Sequence, residues 1–257
     1  MVLDLYQCLR SLSVMVRFVG HQFNRSRKFV EIDITYRCNL KCTNCNRSCS
    51  QAPSGLEMPV DRITDFIRES IQNRTAWERI RLLGGEPTLH KAFARIVDAL
   101  VEYKHNYNPE LRIEVCTNGH GTRVHQALDR LPEGIQIKST YKNGSARLFR
   151  PFNLAPIDSP WFKLADFSSG CRIIADCGIG LTPLGFYPCA IAGGIDRIFG
   201  FNLGRKQLPA DNDDMLDLLR RFCPLCGHFG FRWPGKRTRM SLTWKQAYIR
   251  YRWRKGC

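Results

Sequence analysis

The chain lacks long apolar runs. No segment approaches the roughly 18 to 20 uninterrupted apolar residues that a membrane-spanning helix needs. Residues 2–20 are apolar, but Asp4, Arg10 and Arg17 interrupt them and no small-residue cleavage site follows. This start does not resemble a secretion signal. We therefore expect a cytoplasmic protein with no transmembrane segment.

Acidic residues are also scarce. The sequence has 23 Asp and Glu against 39 Lys and Arg, a net charge of +16. The stretch 232–257 has nine basic residues, no acidic one, and interleaved Trp and Tyr. Such a charge suits an anionic substrate, nucleic acid or a membrane surface, or it simply aids solubility. The tail either contacts nucleic acid or forms a helix whose aromatic side chains pack on the body, and the second alternative is favoured.

Size and cysteine content set the remaining bounds. A chain of 257 residues that is 44% apolar and 24% charged fits one large globular domain, or a barrel with an appendage. It contains 12 cysteines. Without an export signal, this number favours metal binding over a disulfide framework.

A cysteine loop follows the first clear strand. Residues 29–35 alternate between apolar and polar, which predicts a half-buried strand. Cys38, Cys42 and Cys45 come next, at spacings of three and two residues. Three thiolates just past a strand end can hold an iron–sulfur cube and leave its fourth iron open. On spacing alone, half of a zinc site is the alternative.

A second motif supports the iron–sulfur interpretation. Gly84, Gly85, Glu86 and Pro87 follow the apolar run 80–83, which predicts a second strand. Together the two motifs resemble those of the radical S-adenosylmethionine (SAM) enzymes, over residues 29–141 and more weakly to about 230. The resemblance implies a [4Fe–4S] cluster on the three cysteines and SAM bound at residues 84–87.

The elements that follow predict a repeating pattern. Helical spacing of apolar residues marks 60–74, 88–101 and 122–131, and strand patterns mark 111–116 and 135–141. The alternation predicts βαβ units and a parallel sheet. The resemblance implies a partial (β/α)6 TIM-like barrel with ligands at the carboxyl ends of its strands. It also implies SAM contacts at Asn118 and Ser139, for which turn and capping chemistry is the alternative.

The ends of the barrel define further segments. Leu5, Leu9, Leu12, Val16 and Val19 predict an amphipathic N-terminal helix that packs on the barrel or lies on a membrane surface. We expect four regions: this helix with a basic connector (1–28), the barrel (29–160), a small auxiliary domain (161–230) and the basic aromatic tail (231–257).

A second cysteine group lies in the auxiliary region. Cys177 and Cys189 flank a predicted β-hairpin, and Cys223 and Cys226 follow a predicted helix at 213–221. This arrangement resembles the Twitch/SPASM auxiliary-cluster domains of some radical SAM enzymes, which implies a second [4Fe–4S] cluster. A zinc knuckle is the alternative. Cys171 is a further cysteine that could replace Cys177 or act as an additional ligand.

The implied chemistry is reductive cleavage of SAM to a 5′-deoxyadenosyl radical that abstracts hydrogen from a substrate C–H bond. We expect an oxidoreductase that dehydrogenates or otherwise tailors a small natural-product or sugar-like molecule, for which an anionic one would suit the charge, with flavodoxin or ferredoxin as reductant. The alternatives are a peptide or protein maturase (oxidation, crosslinking or epimerisation) and a zinc-stabilised nucleic-acid-binding protein. The catalytic acid or base is unknown, with Arg150, Lys138, Tyr141 and Tyr187 as candidates near the mouth.

Overall fold

A six-stranded sheet forms the centre of the fold. The structure is a computed structural model that describes residues 6, 8–139, 151–230 and 240–256. Its strands are β1 (Phe29–Thr35), β2 (Arg79–Gly84), β3 (Arg112–Thr117), β4 (Gln136–Ser139), β5 (Ile179–Thr182) and β6 (Gly185–Tyr187). The spatial order is β4-β3-β2-β1-β5-β6.

The pairing pattern makes this a mixed sheet. Strands β1 to β4 are parallel neighbours, β5 joins β1 in parallel, and β6 returns antiparallel to β5. The four predicted barrel strands are therefore present. Within the described residues, the edge strands β4 and β6 do not pair with each other. The predicted barrel is observed there as an open α/β sheet.

Helices connect and cover the strands. They are α1 (Ser13–Val19), α2 (Val60–Gln72), α3 (Phe93–Tyr107), α4 (Thr122–Leu128), α5 (Arg172–Asp176), α6 (Ala190–Phe199), α7 (Leu216–Phe222) and α8 (Leu242–Lys255). The apolar stripes of α2 and α3 are buried, as the 3.6-residue spacing predicts. The predicted strand at 135–141 is confirmed as far as Ser139, and the rest lies outside the described residues.

The hairpin at 179–187 is part of the main sheet. It was predicted to belong to an auxiliary domain at 161–230, and in the structure Val30 and Ile32 of β1 pair with Ile179 and Leu181 of β5. Helix α6 packs directly on β5, because Gly180 leaves no room for a Cβ against the backbone of Ala190. Among the described residues after 161, side chains from β5, β6, α6, α7 and α8 therefore share one core with the preceding strands.

Both ends of the chain pack against the body. In α1, Val16 is buried, and Ser13 donates its backbone N–H to the Leu164 carbonyl at 2.9 Å. Leu9 and Val19 of the predicted stripe stay exposed, and Leu5 lies outside the described residues. At the other end, α8 buries four side chains, which confirms the prediction of aromatic packing: Trp244, Ala247, Tyr248 and Tyr251. Across the described ranges, no helix is both long and apolar enough to cross a membrane.

Candidate active site

The cysteine loop and the glycine motif lie against each other at the carboxyl ends of β1 and β2. The Gly85 N–H donates to the Thr35 carbonyl at 2.8 Å, and the Glu86 N–H donates to the Arg37 carbonyl at 2.8 Å. These bonds hold the motif beside the residue that precedes Cys38. The two sequence motifs therefore converge on one edge of the sheet.

Close backbone approach explains both glycines. A Cβ on Gly84 would overlap the Thr35 carbonyl oxygen, and Gly84 also has φ +133°, which disfavours any side chain. A Cβ on Gly85 would overlap the Arg37 carbonyl and come within 3.2 Å of the Cys38 Cβ. The glycine pair is what allows β2 to end against the start of the cysteine loop.

Glu86 is buried, and protein groups engage its carboxylate. Oε1 accepts from the Thr88 hydroxyl at 2.8 Å and from the Thr117 hydroxyl at 3.0 Å. Oε2 accepts from the Asn118 backbone N–H at 2.7 Å. The predicted cofactor-binding residue thus ties the end of β2 to the end of β3 through its side chain.

Asn118 reaches the cysteine loop from β3. Its side-chain nitrogen donates to Asn39 Oδ1 at 2.7 Å and lies 3.8 Å from Cys38 Sγ. Ser139, at the end of β4, pairs in register with Thr117. The predicted residues on β2, β3 and β4 therefore lie along the carboxyl edge that carries the three cysteines.

The loop contains a fourth cysteine, Cys49, whose role was not predicted. Cys49 is buried and forms a side-chain hydrogen bond with Cys45, which together with burial raises its pKa well above the ordinary value. Burial also raises the pKa of Cys38, and Cys45, Glu86 and Cys42 add to this. The sequence signal that could have pointed to Cys49 is its position, since three residues separate it from Cys45.

A buried charge network lies below this edge. Arg81 on β2 donates to Glu114 at 2.7 Å and to Glu31 at 2.9 Å. Glu114 and Glu31 are its direct neighbours in register on β3 and β1, respectively. Arg47, two residues after Cys45, donates to Glu31 and to both oxygens of Asp33, each at 3.2 Å. The network connects the cysteine loop to the inner face of the sheet.

Ionisation in this network follows its charge balance. Burial opposes charge on Glu31, but Arg47 and Arg81 hold its pKa below the ordinary value. Burial raises the pKa of Asp33 to about 6, even with Arg47 beside it. Two guanidinium groups thus face three carboxyl groups, and Asp33 takes up a proton more readily than Glu31. The network is not a solvated polar face.

The second cysteine group gathers Cys171, Cys189, Cys223 and Cys226. All four line one cavity, together with apolar side chains from α6 and α7. Cys177 is not among them. It forms a side-chain hydrogen bond with Glu31, which together with burial raises its pKa. The short helix α5 separates Cys171 from Cys177, and Cys171 lies in the cavity where Cys177 was predicted.

These four thiols suit a metal cluster chemically. Burial raises the pKa of Cys171 to about 11 and that of Cys189 to about 12, and neighbouring cysteines raise the pKa values of Cys223 and Cys226 further. Thiolates concentrated in an apolar cavity need a cationic partner, which a bound metal supplies. Among the described residues, no three His, Cys, Asp or Glu side chains are arranged to hold a single metal ion.

Arg197 of α6 supports the cysteine loop from behind. Its guanidinium donates to the carbonyls of Ala52 at 2.8 Å and Arg47 at 3.0 Å, and to the Tyr251 hydroxyl at 2.9 Å. Helix α8 adds a bond of 2.7 Å between the hydroxyls of Tyr248 and Ser48. No role at this site was predicted from the sequence for Arg197 or for helix α8.

The candidate residues for acid–base chemistry lie apart. Tyr187, the last residue of the antiparallel strand β6, is buried and donates to Asp196 at 2.6 Å. Lys138 is exposed on β4. Arg150 and Tyr141 lie outside the described residues. The described structure therefore assigns no catalytic acid or base.

Comparison with known proteins finds similarity over part of this chain. Residues 32–138 match the model of the Radical SAM superfamily. A GTP 3′,8-cyclase of Nautilia profundicola is 28% identical over 137 residues, covering 48% of this chain and 41% of that protein. The GTP 3′,8-cyclase of Mannheimia succiniciproducens is 37% identical over 84 residues, covering 30% of this chain and 23% of that protein. The aligned segment thus spans at most about two fifths of either relative.

Among proteins of known structure, BtrN and SuiB are similar to part of this chain. BtrN in complex with AdoMet and 2-DOIA has a TM-score of 0.44 and 14% identity, covering 85% of this chain and all of that one. Streptococcus suis SuiB bound to precursor peptide SuiA has a TM-score of 0.39 and 13% identity, covering 78% and 69%. The segment that matches the superfamily model, residues 32–138, contains the cysteine loop, the glycine motif and Asn118.

Proposed function

We propose that the protein is a radical SAM enzyme that abstracts a hydrogen atom from a C–H bond of a small, anionic substrate. The observation that carries this is the convergence of Cys38, Gly85 and Asn118 at one sheet edge, inside the segment that matches the superfamily. The anionic substrate is supported by the net charge of +16 and by the GTP in the names of the curated relatives.

Cys38, Cys42 and Cys45 would hold a [4Fe–4S] cluster, and the strand ends at Gly84–Pro87, Asn118 and Ser139 would hold SAM. When bound and reduced by one electron, these groups supply a 5′-deoxyadenosyl radical that removes hydrogen from the substrate.

The protein's own contribution is rigid placement. Glu86 joins the ends of β2 and β3, and Asn118 Nδ2 joins β3 to the cysteine loop through Asn39. Arg47, at the far end of the loop, donates hydrogen bonds to Glu31 and Asp33 on β1. Because a displacement of about 1 Å in a reacting geometry costs on the order of a hundredfold in rate, these bonds serve catalysis by keeping the loop in place.

Cys171, Cys189, Cys223 and Cys226 would hold the auxiliary cluster. When bound, that cluster would accept the electron that a substrate radical loses on oxidation, which supports dehydrogenation as the reaction type. Cys189 is the N-cap of helix α6, and Arg197 of the same helix bonds to the cysteine loop, so one element connects the two cysteine groups.

The test is anaerobic reconstitution with iron and sulfide, followed by dithionite and SAM. We expect about eight irons per chain, for two four-iron clusters, and 5′-deoxyadenosine as a product. A Cys42→Ala variant should lose about half of the iron and all SAM cleavage. Intact SAM in the wild-type reaction, with iron fully loaded, would contradict the proposal. Zinc in place of the second four irons would favour the knuckle alternative at that group.

A further inference from the structure

Helix α8 has two apolar faces, and only one of them is buried. The buried face packs on the body through Trp244, Tyr248 and Tyr251. On the opposite side, Leu242, Ile249 and Trp253 are 66%, 51% and 81% exposed. Their spacing of seven and four residues aligns them in a single stripe along the helix. An exposed apolar stripe of this kind marks an interaction surface.

Basic residues flank the stripe on both sides. Lys245 and Arg252 lie along one edge and Arg250 along the other, and all three are exposed. Helix α8 contains no acidic residue. Among the described residues, no carboxylate pairs with these three basic side chains. The surface therefore suits a partner with acidic residues around an apolar centre.

The position of α8 relates this surface to the cysteine loop. The Tyr248 hydroxyl bonds to Ser48 at 2.7 Å, and the Tyr251 hydroxyl donates to the Pro53 carbonyl at 3.1 Å. A protein seated on the outer face would lie about one helix diameter, roughly 10–12 Å, from the loop that carries Cys45. Proximity to the cluster loop favours an electron donor over nucleic acid as the occupant.

We propose that the outer face of α8 (Leu242, Lys245, Ile249, Arg250, Arg252, Trp253) is the docking surface for an acidic one-electron carrier protein of the flavodoxin or ferredoxin class. The proposal rests on the radical SAM function proposed above. The carrier is oxidised by one electron, and the cluster at Cys38, Cys42 and Cys45 is reduced by that electron. No proton or group moves with it.

The size of the surface agrees with this partner. Fourteen residues of helix span about 21 Å. Electron-transfer encounters use small interfaces, and their association is steered by opposite charge and weakened by salt. Trp, Tyr and Arg side chains dominate the binding energy of many interfaces. The outer face of α8 supplies Trp253 at the C-terminal end of its stripe, with Arg250 and Arg252 nearby.

The experiment measures binding of a bacterial flavodoxin to the anaerobically reconstituted protein by titration calorimetry, at low and high salt. A Lys245→Glu/Arg252→Glu variant should raise Kd about tenfold, because it reverses two of the charges that steer association. A Trp253→Ser variant should raise it about fivefold or more. The matched control, Arg95→Glu/Arg112→Glu, changes two exposed arginines elsewhere and should stay within about twofold. Unchanged melting temperatures would show that every variant is folded.

Formation of 5′-deoxyadenosine separates the two proposals. With dithionite, wild type and both α8 variants should react at equal rates, whereas with reduced flavodoxin the α8 variants should slow by the factor seen in Kd. Equal flavodoxin affinity for all variants overturns the docking surface. So does a loss of binding to single-stranded DNA or anionic vesicles with flavodoxin binding unchanged. No product from wild type with dithionite overturns the radical SAM function instead.

Discussion

Arg47 Nε lies 3.2 Å from both carboxylate oxygens of Asp33, and both side chains are buried. The same guanidinium reaches Glu31. One arginine in the cysteine loop therefore compensates two buried carboxyl groups on β1. Since Arg47 is two residues from Cys45, this contact also fixes the far end of the loop to the sheet.

Removing this cation should destabilise the fold. An Arg47→Met variant leaves Glu31 and Asp33 without their shared partner, and breaking a buried ion pair from one side costs about 3–5 kcal/mol. We expect a fall of this size in the free energy of unfolding, measured by urea denaturation. The control is Arg112→Met at an exposed position, which should change it by less than about 0.5 kcal/mol. Equal stability of the two variants would mean that the network is unimportant.

The raised pKa of Asp33 predicts a pH dependence. Its pKa is about 6 in the folded protein and 3.8 ordinarily, so the folded state binds the proton more tightly. This contribution is present below about pH 4 and is lost as pH rises through 6, by at most about 3 kcal/mol. The difference in unfolding free energy between wild type and Asp33→Asn should change over this interval. A constant difference from pH 4 to 7 would contradict it.

The glycine motif should not tolerate a methyl group. In Gly85→Ala, the Cβ would overlap the Arg37 carbonyl and press on Cys38, so the cysteine loop must move. We expect lower iron loading after reconstitution and a reduced melting temperature. Gly55→Ala is the matched control, because its Cβ would meet nothing closer than 4.0 Å. Normal iron content in Gly85→Ala would show that the loop adapts.

The two cysteines at 171 and 177 should behave differently. Cys171 lines the cavity with the other three thiols, whereas Cys177 is bonded to Glu31. A Cys171→Ser variant should therefore lose about four irons per chain, and Cys177→Ser, which keeps a donor for Glu31, should retain about eight. Iron analysis and the iron–sulfur absorbance measure this. The reverse result would restore Cys177 as the ligand.

Glu86 should act through position. In Glu86→Gln, an amide replaces the carboxylate that accepts from Thr88, Thr117 and Asn118, so at least one donor faces another donor. This should cost about 1–3 kcal/mol in the free energy of unfolding. Thr88→Val, which removes only one hydroxyl donor, is the milder comparison. If SAM affinity falls while stability stays unchanged, the carboxylate touches the cofactor instead.

Sequence reasoning predicted the elements that carry strong local patterns. Strand β1 ends at Thr35 as the alternation indicates, and α2 and α3 follow their apolar spacing. It misjudged β1 as half-buried, because Glu31 and Asp33 were taken to face water. Their partners are distant in sequence: the strand register places Arg81 beside Glu31, and the fold of the cysteine loop places Arg47 there.

The second cysteine group shows the same limit. Symmetry of the predicted hairpin favoured Cys177 as the partner of Cys189. The choice between Cys171 and Cys177 depends on the path of α5 and on a bond to Glu31 from a different strand. Local pattern contains neither piece of information. Helix α6 was also missed, since Gly193 and Gly194 lower its helical propensity and tertiary burial overcomes that.

Helix α6 sets the separation between the two cysteine groups. Its N-cap is Cys189, and Arg197, eight residues on and so about 12 Å along the axis, holds the carbonyl of Arg47. If both groups hold clusters as proposed, a continuous helix of this length would keep their separation fixed from one turnover to the next. The rate of substrate oxidation would then depend on the difference in reduction potential between the two clusters.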